Sequence, residues 1–319
     1  MSLDLHTLLA CVAIPAAISI VAVWIAWRLD CRNSAATAAR TDVDKPATNG
    51  MAASSSVCGE AAYGGDDVMA SPAGLSSLVL ATGWWLAVTI GILGAETPAF
   101  WPDDGWPKVI WPMLASVIAI ASWSNGRLRT SPGLWVVFGW IAVATGSLAM
   151  PVGDGWADMW PLHRNWMSMI AIAATANAFA LFSMVQRAAG AWVPPVILAG
   201  LACPAISGAA SYSALWEACL AAIVATTVLA LWAATGRRSA SYAILFPSAL
   251  FMATMVSASR FRSYDEVPSW AYAVAFFAPT LIALADLLVA KSTPRVRVTV
   301  AALMGLLIVC SMAYQFLLA

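Results

Sequence analysis

The chain has 319 residues, of which 61% are hydrophobic and 10% charged, with a mean hydropathy of +0.80 and sixteen basic residues balancing sixteen acidic ones. Soluble domains carry about 25% charged residues, so this composition excludes a water-soluble globular fold. Zero net charge without a basic run argues against nucleic-acid binding.

Cys11, Cys31, Cys58, Cys203, Cys219 and Cys310 are scattered without a C-x-x-C, and four of the six lie in apolar runs. A thiol there packs as a small hydrophobe. Neither a disulfide framework nor a structural zinc site is expected, and no cofactor is indicated.

The first apolar run, Leu8 to Trp27, has 20 residues, enough to cross about 30 Å of hydrocarbon as a helix. Its leader, MSLDLH, lacks Lys and Arg, whereas Arg28 and Arg32 follow it. A signal peptide has the opposite charge order. Residues 1–27 are therefore read as a retained anchor with its N-terminus outside, with cleavage at the ATA of 36–38 as the alternative. Residues 28–72 are rich in Ala, Ser, Thr, Gly and Asp without an apolar period. That composition predicts a disordered cytoplasmic linker, in which Asp66 and Asp67 are a solvated pair.

Nine further apolar runs fall at about 74–94, 108–124, 133–150, 166–185, 193–211, 214–234, 242–259, 270–290 and 298–318. Residues 73–319 thus predict a nine-helix bundle. The whole chain predicts an all-α polytopic membrane protein, a bundle of about ten transmembrane helices with both termini outside. In that orientation the inner links hold twelve Lys and Arg, from Arg28 to Arg297, and the outer links four, Lys108, Arg164, Arg260 and Arg262. This is the bias expected of inner loops. The Ala-rich composition and compact links suggest the cytoplasmic membrane of a bacterium.

Two outer links share a pattern, DGWPKVIWP at 104–112 and DGWADMWPLHRNW at 154–166. Trp concentrates at membrane–water interfaces, so these read as short turns held by interfacial aromatics. Asp104, Trp106, Asp154, Trp156, Asp158 and His163 are the candidate residues of a composite outer site, with Trp106 and Trp156 expected to approach each other.

Ionisable residues within membrane spans are costly and usually functional. Glu217 precedes Arg237 by 20 residues, about 30 Å of helix, which places it at the outer boundary. Asp286 precedes Lys291 by five residues, within about 8 Å of the inner boundary. Asn177 follows Trp166 by 11 residues and is therefore about 16 Å deep. It is neutral and expected to hydrogen-bond between helices. Pro204 and Pro279 fall inside their runs and are candidate hinges. No H-E-x-x-H and no intramembrane His is present, so no catalytic residue is assigned.

The leading functional expectation is binding or passage of a small neutral or weakly cationic solute, uncoupled to protonation at mid-membrane. A non-transporting scaffold or sensor using the outer Trp-rich loops is second, and an outer-face enzyme third. The expected partners are the lipid bilayer and a small-molecule ligand. A continuous polar cavity would favour the first reading. A closed bundle with no cavity reaching Asn177 would favour the second, and converging outer carboxylates the third. The orientation has a direct check: a membrane-impermeant thiol reagent should miss Cys58 in intact cells and reach it after permeabilisation. Labelling of Cys58 from outside would overturn the assigned topology.

Overall fold

A segment in hydrocarbon must satisfy its own backbone donors and acceptors, and an apolar run of this length does so as a helix. The computed structural model describes residues 5–43, 75–95, 105–124, 132–150, 160–186, 192–211, 213–235, 239–262 and 267–318, and every element among them is helical. A single turn, α1 (Leu5–Leu8), and a π-helical turn (Leu9–Ala13) lead into α2 (Ile14–Val43). Then come α3 (Leu75–Ala95), a 3-10 turn (Trp106–Val109) with α4 (Ile110–Ser124), α5 (Pro132–Ala149) and α6 (Trp160–Met184). The chain continues through α7 (Val193–Ser211), α8 (Ser213–Ala233), α9 (Ser239–Arg262), α10 (Ser269–Phe276), α11 (Ala278–Leu288) and α12 (Pro294–Leu318).

Seven helices are long and apolar enough to cross a membrane; α10 and α11 together form a pair bent by 64°. Two shorter apolar helices, Trp106–Ile120 and Val193–Ala209, complete the set. The chain is accordingly a helical polytopic membrane protein, with seven to eight candidate spans among the described residues.

Three expectations are corrected. The first helix does not stop at Trp27 but runs to Val43. The Ala-rich stretch after Arg32 has high helix propensity and extends a helix that is already nucleated. Residues 44–72, the rest of the expected linker, lie outside the described residues. Nor is the first helix a separate anchor, because α2 packs against α3 and α8. Finally, α6 begins at Trp160 rather than 166, so half of the second DGW link is helical.

The helices are arranged around α9. Buried positions make up 94% of its membrane-length stretch, against 17% for α12. Around it α3, α4, α5, α6, the α10–α11 pair, α7 and α8 form a closed ring, each touching the next. Outside this ring α2 lies on α3 and α8, and α12 on α7 and α11.

Lipid tails are as apolar as leucine, so close packing rather than hydrophobic transfer must hold such helices together. Small residues make it possible. A Cβ at Gly83 would overlap the Ala22 methyl, one at Gly91 that of Ala221, and one at Gly94 that of Ala10. Helix α3 thereby sits tightly against both α2 and α8. Trp84 of α3 is fully buried, donates its indole N–H to Thr226 Oγ1 of α8 at 2.9 Å, and meets Phe251 of α9 edge-on at 6.2 Å. The π-helical turn has a local cause: Pro15 has no N–H and its ring crowds the carbonyl of Cys11. The turn widens there, and Ile14 N–H bonds to Leu9 O.

The α3–α8 seam is tested by Gly91→Leu. The added side chain has no space against Ala221, and overpacking costs about 1–3 kcal/mol. Thermal unfolding in detergent should show a clear fall in Tm, whereas Gly139→Leu, where nothing lies within 4 Å of a Cβ, should leave Tm near the parent value.

Candidate functional site

Pro279 stands in the first turn of α11, two residues after Phe277 has left helical geometry at φ −104° and ψ 14°. Its ring opposes the Ala275 carbonyl, and it cannot donate, so the helix breaks here. Phe277 N–H reaches back to Ala273 O at 3.3 Å, and Leu281 N–H to Phe277 O at 2.8 Å. Between them the Phe276 carbonyl and the Thr280 N–H are left to find partners outside the helix.

Asn177 of α6 supplies both. Its Nδ2 donates to Phe276 O at 2.8 Å. Its Oδ1 accepts from Thr280 N–H at 3.3 Å and from the Thr280 hydroxyl at 2.8 Å. The side chain is fully buried, on the face of α6 that also carries Ala173, Ala174, Ala178 and Leu181. The small alanines let α6 approach α9 and α11 closely enough for a short side chain to bridge the gap. An amide suits the position because it has a donor and an acceptor on one planar group. A carboxylate lacks the donor, and an aliphatic residue lacks both.

The break is framed by aromatic rings. Trp166 of α6 meets Phe276 at 5.6 Å and Phe261 of α9 at 5.7 Å, and His163 meets Phe261 edge-on at 5.8 Å. The Arg260 guanidinium lies over the Tyr272 ring at 5.6 Å, joining α9 to α10. At the other end of α11, Arg297 of α12 grips Asp286 with two parallel bonds, Nε to Oδ1 at 2.9 Å and Nη2 to Oδ2 at 2.7 Å. The Asp286 side chain is only 4% exposed.

The residues singled out from sequence are dispersed. Asn177 and Pro279 meet at the break. Pro204 lies within α7, which is assigned as one helix through it. Glu217 is half-buried, four residues into α8. Asp286 is the buried half of an ion pair. Of the outer cluster, Trp106 is buried in its 3-10 turn, which packs on α5 and α9, and its indole N–H has no hydrogen-bond partner among the described residues. His163 is buried within α6 rather than held in a loop. Asp104, Asp154, Trp156 and Asp158 lie outside the described residues, so the expected approach of Trp106 to Trp156 does not bear on this site. Among the described residues no three His, Cys, Asp or Glu side chains are grouped to hold a metal.

Two participants escaped the sequence reading. Thr280 follows Pro279 directly, a position where a freed N–H and a hydroxyl coincide. Arg297 lies across the 289–293 link from Asp286, the arrangement of a charge pair across a helical hairpin.

A cavity of about 800 Å³ lies between α5 and α6 on the outside of the ring; Thr175 and Ala176 line it, but Asn177 does not. No protein-family model, curated protein or solved structure matches this chain.

The clasp makes a local claim. Asn177→Ala removes three hydrogen bonds and leaves Phe276 O and Thr280 N–H without their partner. Interhelical bonds of this kind contribute about 1–2 kcal/mol. Hydrogen exchange should accelerate over residues 276–284 well beyond the change in α3 or α8. Uniform acceleration along the chain would contradict the clasp.

Proposed function

We propose that this chain is an integral membrane protein that crosses the bilayer ten times and acts as a closed binding or sensing component. Its movable part is the α10–α11 break. The ten spans are the seven long helices, the bent pair counted once, and the two shorter apolar helices. With the N-terminus outside, both termini share one face, and the charge bias of the links supports that orientation. A bacterial cytoplasmic membrane fits the composition.

One observation carries the closed reading: Asn177, the deepest polar side chain singled out from sequence, has its bonds within the protein, while the cavity beside it opens on the lipid side. The enclosed α9 occupies the position that an aqueous pathway through the ring would take. A sensor of this type would read its signal as a shift at the break, relayed through the Trp166–Phe276 contact or, from outside, through the Trp-rich outer links.

A second reading, passage of a small neutral or weakly cationic solute, is favoured by the break itself. Discontinuous helices at mid-membrane form the binding sites of many secondary transporters. In that reading the Asn177 amide exchanges Thr280 and Phe276 for the solute. Asp286, held by Arg297, is not a cation carrier in either reading.

The two separate experimentally at Cys203, which is fully buried on α7. In proteoliposomes containing a chain with Cys203 as its only cysteine, a charged methanethiosulfonate should leave the thiol unmodified from both faces. Modification at a rate comparable to a surface thiol would demonstrate water at the core and favour solute passage.

A further inference from the structure

The groove on the outside of α5 and α6 lies between Trp135, Gly139 and Trp140 on one helix and Ile172, Thr175 and Phe179 on the other. Both stretches belong to helices of membrane-crossing length, so whatever fills the groove comes from the bilayer. Its walls are mainly apolar, the Trp135 and Trp140 indoles being the polar exceptions beside Thr175. The Thr175 hydroxyl donates to Ala171 O within its own helix at 2.8 Å. Gly139 opens the floor, since a Cβ there would meet no atom within 4 Å. Trp140, Ile172 and Phe179 stand as rims, 72%, 58% and 61% exposed.

Size and shape select the occupant. The lining covers residues 135–143 and 171–179, roughly 12 Å of helix, which across a helix diameter of about 10 Å makes a patch of roughly 120 Å². A standard protein interface buries about 800 Å² on each partner, so a second copy seated here would lack the area for a stable dimer. A foreign transmembrane helix would have to bring its backbone down to the small residues of the floor, Gly139, Ala171 and Ala176, and the Trp140, Ile172 and Phe179 rims hold it off. A hydrocarbon chain is thin, flexible and free of hydrogen-bonding groups, and it fits between those rims.

We propose that this groove is a lipid-binding site that retains one acyl chain of a bilayer phospholipid. The site is connected to the core. The Trp135 ring stands 5.6 Å from Phe179 on the groove side and 5.7 Å from Phe246 of α9, both at steep interplanar angles. A seated chain therefore fixes the orientation of a ring that α9 also contacts. This inference rests on membrane insertion alone and holds whether or not the bundle opens a solute path.

The test uses the full-length chain in phosphatidylcholine vesicles with a diazirine in one acyl chain, irradiated and then mapped by peptide mass spectrometry. Adducts should concentrate on residues 135–143 and 171–179, at least fivefold above the exposed α12 segment containing Leu303, Leu306 and Leu307. Native mass spectra after detergent washing should retain one phospholipid per chain. Gly139→Phe, which fills the floor, should abolish both signals, while Leu306→Phe should change neither. Ile172→Trp, which narrows the mouth from an exposed rim, should reproduce the loss if Gly139→Phe fails to fold. Equal labelling of α12 and the groove would overturn the proposal. So would retention of lipid in both groove variants, or loss of a dimer in place of loss of lipid.

Discussion

In hydrocarbon an unpaired backbone amide costs several kcal/mol, because no water replaces the lost partner. A helix break at membrane depth is therefore tolerated only where something in the protein closes the account. Here that group is the Asn177 amide. It satisfies both sides of the break at Phe277 with one planar side chain, and the approach of α6 to α11 depends on the alanines that flank it. Without this bridge Pro279 would leave a carbonyl and an N–H exposed in a low-dielectric interior. With it, the helix turns by 64° and remains within the ring. The break and the clasp are thus one feature shared by three helices.

The same demand shapes the rest of the bundle. Since apolar contact with lipid competes evenly with apolar contact between helices, stability comes from dense packing and from satisfied polar pairs. Gly83, Gly91 and Gly94 bring α3 against its neighbours, and the Trp84–Thr226 bond pins the seam at its widest side chain. The enclosure of α9 follows from such contacts on every side. Its Ala, Ser and Thr positions admit close neighbours, while Phe246 and Phe251 fill the gaps between ring helices.

Much of this was legible in the sequence, for a reason specific to membranes. Where solvation forces every span to be helical and apolar, run length alone places the elements, and the observed helices fall within a few residues of the runs except where polar sequence joins a helix. At residues 28–43 and 160–165 the helical signal lies in propensity and in the adjoining run, not in hydropathy. Asn177 was read as needing partners on another helix, yet nothing in its neighbourhood named Phe276 and Thr280, since partners 99 to 103 residues away are set by packing. The packing of Trp106 was not legible, because a Trp beside a polar link looks the same in sequence whether it faces outward or packs against α5 and α9. The groove had no signature, being a difference in height between side chains of two helices.

The ion pair between Asp286 and Arg297 bears on how the chain enters the bilayer. Helix α11 alone would bring an unpaired carboxylate close to the inner boundary, and α12 alone an unpaired guanidinium. Threaded together as a hairpin, they arrive with each charge already matched by a bidentate contact. The last two helices are then the smallest unit in which this pair arrives matched. A chain released before α12 would hold α11 at the surface, even though α12 itself contributes little to the buried interior.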